Sequence, residues 1–399
     1  MLYIFWISIF MIFYAYFGYP LCLLLISVFK KSIRPNDYEL RAINYQLPSS
    51  TFIITAYNEE KLIRKKIENT LSQDYPSKKL EIIIASDCST DGTDEIVQSF
   101  KDQGVQLIKA SERKGKEHAQ KLAVEASTGK ILVFSDAATI LMPDGVSNIV
   151  KNFANPSIGC VSSEDTFIDQ NGNLSGEGAY VRYEMFLRNL ESKVNTLVGL
   201  SGSFFAARRE VCQQWSTNLQ SDFNTLLNSI KLGLRGISDP NSLGYYEAIS
   251  DEKKEFSRKT RTILRGITVF MNSLSLLNPL KYGLFSWQLF SHKLCRWLVP
   301  FFLILAFVSN AIIMPSSTFF TFLFFLQITF YLLAFIYFHI KSPNPQRVSK
   351  KTYVYGLRAM SYELLKIPYY FMLVNASILV AWWKYIMGER ATFWEPSKR

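Results

Sequence analysis

Two aspartates stand where short, β-rich apolar runs stop. Asp87 closes EIIIASD (Glu81 to Asp87) and is followed by CSTDGT, while Asp136 closes KILVFSD (Lys130 to Asp136) and is followed by AAT. In open α/β sheets, ligands bind in the crevice beyond the carboxyl ends of the strands. Two acidic residues at two such ends point to one site for a nucleoside diphosphate.

The elements that must position them alternate. Thr51 to Thr55 reads as a buried strand, and from Glu59 to Leu71 the residues Leu62, Ile63, Ile67 and Leu71 recur at helical spacing. Glu81 to Ala85 is a second strand. Asp91 opens a helix as its N-cap, Val105 to Ile108 is a third strand, Lys116 to Ala126 a helix and Ile131 to Phe134 a fourth strand. Strands alternating with helices of this length predict an α/β domain with a mainly parallel sheet. Further on, Glu177 to Arg188 reads as a helix, and Ser201-Gly202-Ser203 leads into a Phe-Phe-Ala-Ala strand.

The ends of the chain are of another kind. Of its 399 residues 49% are hydrophobic and 15% aromatic, and the excess lies at the two termini. Leu2 to Phe29 carries no formal charge and is followed by Lys30, Lys31 and Arg34, the pattern of an anchor with a cytoplasmic flank rather than of a cleaved signal. Trp297 to Ile340 is uncharged apart from His339 and is broken by Pro315-Ser316-Ser317, which predicts two spans returning to a basic loop from Lys341 to Lys351. Ile367 to Trp383 is short for a span and has Lys384, Arg390, Lys398 and Arg399 behind it, so it reads as a third spanning or re-entrant segment. The expected organisation is an anchor over 1–29, a cytoplasmic domain over 30–255, amphipathic interfacial helices over 256–296 and a membrane region over 297–399.

Several classes are excluded. The net charge of +11 is explained by Lys and Arg at membrane edges, and no nucleic-acid-binding signature accompanies it. Cys22, Cys88, Cys160, Cys212 and Cys295 lack metal-like or redox spacing, and His118, His292 and His339 are scattered. A dinucleotide-binding Rossmann domain needs a glycine fingerprint after the first strand, where this chain has Ala56-Tyr57-Asn58-Glu59, and there is no P-loop lysine motif. Phosphate binding must then rely on metal and basic side chains.

TAYNEE (Thr55 to Glu60), SDCSTDGT (Ser86 to Thr93), RKGK (Arg113 to Lys116), SDAAT (Ser135 to Thr139), GSFFAARR (Gly202 to Arg209), SDF (Ser221 to Phe223) and RKTR (Arg258 to Arg261) occur in this order. Together with the terminal apolar segments, the chain resembles the membrane-bound family 2 glycosyltransferases, which have the GT-A nucleotide-sugar-binding fold. The resemblance implies an inverting transfer of a sugar from a nucleoside diphosphate sugar, UDP-linked by preference, to a saccharide or lipid-linked acceptor. It further implies a multi-pass protein of the bacterial inner membrane with a cytoplasmic catalytic domain, making surface polysaccharide or glycolipid.

By that resemblance Thr55, Tyr57, Glu59 and Asp87 hold the nucleoside side of the donor, and Asp136 binds Mg2+ or Mn2+ at the diphosphate. Lys116, Arg258 and Arg261 face the diphosphate, and Asp222 is the catalytic base. Each has a plainer alternative: Asp87 a turn aspartate, Tyr57 padding at the sheet edge, Asp222 a helix N-cap, and Arg258 and Arg261 part of a basic helix on lipid headgroups. For Lys259 and Arg265 the headgroup reading is preferred. The chain also departs from the family, with Ala138 and Ser221 where relatives often carry acids. An inert scaffold for polysaccharide assembly and a processive synthase are therefore the alternatives, though RKTR and the few spans speak against the second.

Overall fold

The computed structural model describes residues 1–31, 33, 40, 44–168, 179–247, 252–340 and 356–391. Two helices, α1 (Leu2–Phe13) and α2 (Tyr19–Val28), carry the uncharged N-terminal run. The chain forms two compact units. One holds the sheet and its flanking helices, the other α1 and most of the C-terminal helices.

The sheet unit begins with β1 (Ser50–Ala56), buried along its whole length as befits a strand covered on both faces. It continues through α3 (Glu60–Leu71), β2 (Leu80–Ser86), α4 (Thr93–Gln98), β3 (Val105–Lys109), α5 (Lys116–Ala126) and β4 (Ile131–Asp136). β5 (Ile140–Leu141), α6 (Gly145–Lys151), β6 (Ile158–Ile168), α7 (Ala179–Val194), β7 (Phe204–Arg208), α8 (Ser221–Lys231) and β8 (Arg235–Glu247) complete it. The eight strands lie in the order β3-β2-β1-β4-β7-β6-β8-β5. β3, β2, β1 and β4 are mutually parallel; β7 runs antiparallel to β4 and β6, β6 pairs parallel with β8, and β5 antiparallel with β8. The sheet is mixed and, by pairings, mostly parallel.

Alternating side chains feed two cores, one on each face. Phe52 and Ile54 pack with Ile63 and Ile67 of α3 and Ile149 of α6, while Ile53 packs with Ala119 and Ala123 of α5 and Leu226 of α8. Truncating a wholly buried ring such as Phe52 would cost about 3–5 kcal/mol.

Register decides where the site lies. Ser50 is level with both Leu80 and Ile131, so the strands end together, Ala56 opposite Ser86 and Thr55 opposite Asp136. Because β7 runs the other way, the residues before it, Ser201 to Ser203, arrive at that same edge. Five strands, β1 to β4 and β7, and the helix Lys116–Ala126 fall where the sequence reading puts them. β5 escapes that reading because it is only two residues long, and β6 and β8 because polar residues interrupt them, among them Ser162, Ser163 and Glu164 in β6 and Ser238, Asp239 and Asn241 in β8. Their pairing also slips register between Ser163 and Glu164.

After β8 comes α9 (Glu252–Met271), then α10 (Arg296–Ile313), α11 (Thr318–Ile340) and α12 (Gly356–Ile386). Among the described residues, four stretches have the length and composition of membrane-crossing helices: Leu2–Val28, Leu284–Ser316, Thr318–His339 and Leu365–Ile386. The short segment Ile367 to Trp383 is thus the middle of a longer helix, with flanking residues that add length at little cost in hydropathy. Arg34, the basic loop from Lys341 to Lys351, Lys398 and Arg399 lie outside the described residues.

Candidate active site

Asp136 is the last residue of β4, and its N–H donates to Ser203 O at 3.0 Å. The carboxylate is partly open to solvent, with a side-chain exposure of 26%. Lys116, the first residue of α5, donates from Nζ to Asp136 Oδ1 at 2.5 Å and to Gly202 O at 3.1 Å. Gly202 in turn lies against Asp222: a Cβ at that glycine would meet Asp222 Oδ2 at 2.6 Å. Asp136, Lys116, Gly202 and Asp222 are therefore successive neighbours at the strand ends.

Asp222 sits in the first turn of α8, which starts two residues earlier than an N-cap at Asp222 would require and has Gln220 at that position. Its Oδ1 accepts from its neighbour, Phe223 N, at 2.5 Å, and Oδ2 accepts from Gln220 Nε2 at 3.0 Å. The start of α8 is held by Glu117, which accepts from Ser221 N and from Arg265. Arg265 is a correction to the sequence reading: its side chain is 12% exposed and paired with buried Glu117 rather than turned to lipid headgroups.

The nucleoside candidates line the neighbouring strand ends. Thr55 is buried beside Asp136, and its Oγ1 finds no hydrogen-bond partner among the described residues. The Arg113 guanidinium lies 4.0 Å from the centre of the Tyr57 ring. Glu59 precedes α3, its N–H bonded to Thr93 Oγ1 at 2.9 Å. Asp91 accepts from Thr93 N and from Glu60 N at the starts of α4 and α3, but the N-cap position of α4 falls on Gly92, one residue after the expected Asp91. Asn58 and Cys88 both adopt left-handed backbone, and Asn58 Oδ1 braces the two loops by accepting from Thr90 N at 2.8 Å.

Asp87 is wholly buried, and its oxygens accept from Lys114 N at 3.0 Å and from Gly115 N at 2.9 and 3.1 Å. Burial pushes its carboxyl above the ordinary aspartate range, against the downward pull of those two N–H groups and of Arg113. Gly115 has φ of 96°, a conformation that favours glycine, and it launches α5 so that Lys116 points at Asp136. Asp87 therefore grips the loop that delivers Lys116, a tie that the sequence reading did not foresee.

Among the described residues no three His, Cys, Asp or Glu side chains gather as a metal cluster. At the end of β4 the protein offers a cation the accessible carboxylate of Asp136. That fits magnesium or manganese, which are commonly held by one or two carboxylates together with substrate phosphates and water. Arg258 and Arg261 lie on α9 in the part belonging to the other unit, and Arg258 is engaged by Glu255 at 2.8 Å. Lys259 also pairs with Glu255.

A model of glycosyl transferase family 2 matches residues 51–215. Residues 51–215 are a family 2 glycosyltransferase domain. The poly-β-1,6-N-acetyl-D-glucosamine synthase of Staphylococcus epidermidis is 23% identical to this chain over 188 residues, 45% of each protein. Glycosyltransferase AglE of Haloferax volcanii is 29% identical over 149 residues, 37% of this chain and 47% of that protein. The chain thus spans about half the length of the curated relatives it matches. Among solved structures, the mannosyltransferase PcManGT from Pyrobaculum calidifontis, in complex with GDP-Man and Mn2+, superposes with a TM-score of 0.69 at 22% identity, covering 97% of this chain and 100% of that one. At that identity the likeness is one of fold, and the glycosyltransferase domain has the GT-A fold.

Proposed function

We propose that the protein is an inverting glycosyltransferase that moves a sugar from a nucleoside diphosphate sugar, UDP-linked by preference, to a saccharide or lipid-linked acceptor at the cytoplasmic face of a bacterial inner membrane. The observation that carries this reading is the continuity from Asp136 through Lys116 and Gly202 to Asp222, which links a cation-suited carboxylate to a second carboxylate at the same strand ends.

Asp222 takes the proton of the acceptor hydroxyl as it attacks the anomeric carbon, a task that needs a proton acceptor within hydrogen-bond reach. Asp136 would hold Mg2+ or Mn2+, which would supply positive charge at the departing diphosphate. Lys116 adds a fixed ammonium there, and fixed charges aimed at a leaving group need no reorganisation as the bond breaks. Arg258 and Arg261 are the remaining candidates for that charge. Thr55, Tyr57 and Glu59 face the nucleoside; Asp87 serves it by accepting hydrogen bonds and by fixing the Arg113–Gly115 loop. Displacement in line from the side of Asp222 inverts the anomeric centre.

The partition into an anchor (1–29), a catalytic domain (30–255), interfacial helices (256–296) and a membrane region (297–399) belongs to this reading. Leu274, Leu280 and Leu284 are exposed apolar side chains in the third part and suit a membrane surface close to a lipid-linked acceptor. The test is a panel of nucleotide sugars offered to the detergent-purified protein with and without Mn2+. Cation-dependent release of sugar from one donor, lost in Asp222→Asn when an acceptor is required, is the expected result. No binding or turnover of any donor would sink the enzyme reading and favour the scaffold.

A further inference from the structure

Lys66 lies on α3 between Ile63, Ile67 and Thr70 on the buried side of the helix, and its relative exposure is 0%. Its Nζ donates to Ser135 Oγ at 2.8 Å and to Thr139 O at 2.6 Å, with the Phe52 ring 5.1 Å away. Ser135 immediately precedes Asp136, and Thr139 closes the turn after it, its N–H bonded to Asp136 O at 3.1 Å. One nitrogen thus holds both ends of the five-residue segment that carries Asp136.

A buried amine is costly unless it is hydrogen-bonded. Methionine or leucine would fill the same space beside Ile63 and Ile67 without that cost, so packing does not account for a lysine here. Burial pushes the amine down to about 7, with the Asp136 charge pulling it back up. Protonated or neutral, it keeps the N–H groups that its two acceptors use.

We propose that Lys66 is a positioning residue for Asp136: by tying Ser135 to Thr139 it sets the pose in which that carboxylate meets a cation and diphosphate. The inference rests on the donor-site reading above and deepens it. Ala138 raises its importance, because without a second acid at this motif the hold on the cation runs through Asp136 alone. Any angular freedom of that side chain then passes directly to the ligand.

The test uses the full chain in detergent, with UDP and GDP titrated in the presence and absence of Mn2+. Hydrogen exchange at Ser135 to Thr139 is followed without metal. In Lys66→Met the gain in nucleotide affinity conferred by Mn2+ should fall about tenfold, the size expected for losing a buried hydrogen bond of a charged group. Affinity without Mn2+ should hold, and exchange across the turn should rise. Ser135→Ala removes one acceptor and should move both readouts less and in the same direction, which keeps the idea testable if Lys66→Met does not fold. Unchanged Mn2+ gain and exchange in a variant whose wild type binds would overturn the inference alone, as would an equal loss of affinity with and without Mn2+. A wild-type protein that binds neither nucleotide would overturn the donor reading and this inference with it.

Discussion

The two halves of the sheet are built on different terms. β3, β2, β1 and β4 are parallel, end level with one another and are dominated by isoleucine and valine, whereas β7, β6, β8 and β5 mix directions, slip register and bury serines and aspartates. The first half delivers Thr55, Asp87 and Asp136 by strand length alone. The second half delivers Asp222 through a helix that begins beside it, steadied by Glu117 and Arg265. On the proposed reading, the regular half would meet the donor and the irregular half the acceptor.

The comparison can be broken at its strongest point first. Asp222→Asn should lower transfer by about 10²- to 10⁴-fold, the usual contribution of a general base, while nucleotide affinity by calorimetry stays near that of the wild type. A parallel loss of nucleotide binding would put Asp222 on the donor side and erase the division of labour. Asp136→Ala should abolish the gain in nucleotide affinity brought by Mn2+. Ala138→Asp should tighten metal binding by adding a carboxylate, with no commitment to a faster rate. Metal titration of both variants checks this, and an Asp136→Ala protein that responds to Mn2+ like the wild type would make that aspartate structural.

A methyl group at the seam tests how close the halves stand. In Gly202→Ala the new Cβ meets Asp222 Oδ2, so kcat should fall about tenfold or more for a small displacement of a catalytic group, with the donor Kd little changed. Asp87→Ala should weaken nucleotide binding several-fold even without metal and raise hydrogen exchange over Arg113 to Gly115; binding equal to wild type would leave Asp87 a loop anchor only. The smallest effect is one of pH. The folded pKa of Lys66 lies below its unfolded value, so between about 7 and 10.5 the unfolded chain holds more protons and stability rises with pH. Thermal melts across that window should climb more steeply for the wild type than for Lys66→Met, and identical slopes would show that the amine does not titrate there.

What was legible in the sequence follows the same division except at β7, whose Phe-Phe-Ala-Ala run reads as a strand. β1 to β4 announce themselves through apolar runs that end in turn residues, and the aspartates at their ends are visible for that reason. β6 and β8 carry Glu164, Asp165, Asp239 and Asn241 within the strand, so no alternation marks them, and only three-dimensional pairing makes them strands. Lys66 and Arg265 look like surface charges beside Lys65 and Lys259. Yet Lys66 stands three residues after Ile63 and four before Thr70, on the buried stripe of its helix, and that spacing was the available signal. Glu117 is masked in the same way by its neighbour Lys116.

The tripeptide Ser201-Gly202-Ser203 is touched from both sides. Asp136 N and Lys116 Nζ reach its carbonyls, Asp222 lies against its glycine, and Asp165 accepts from the hydroxyls of Ser201 and Ser203 at 2.6 and 2.5 Å. On the proposed reading, such a shared wall would make the two substrates thermodynamic neighbours. Whatever free energy a bound donor spent in shifting it would be felt by the acceptor, and by reciprocity the acceptor would alter donor affinity by the same factor.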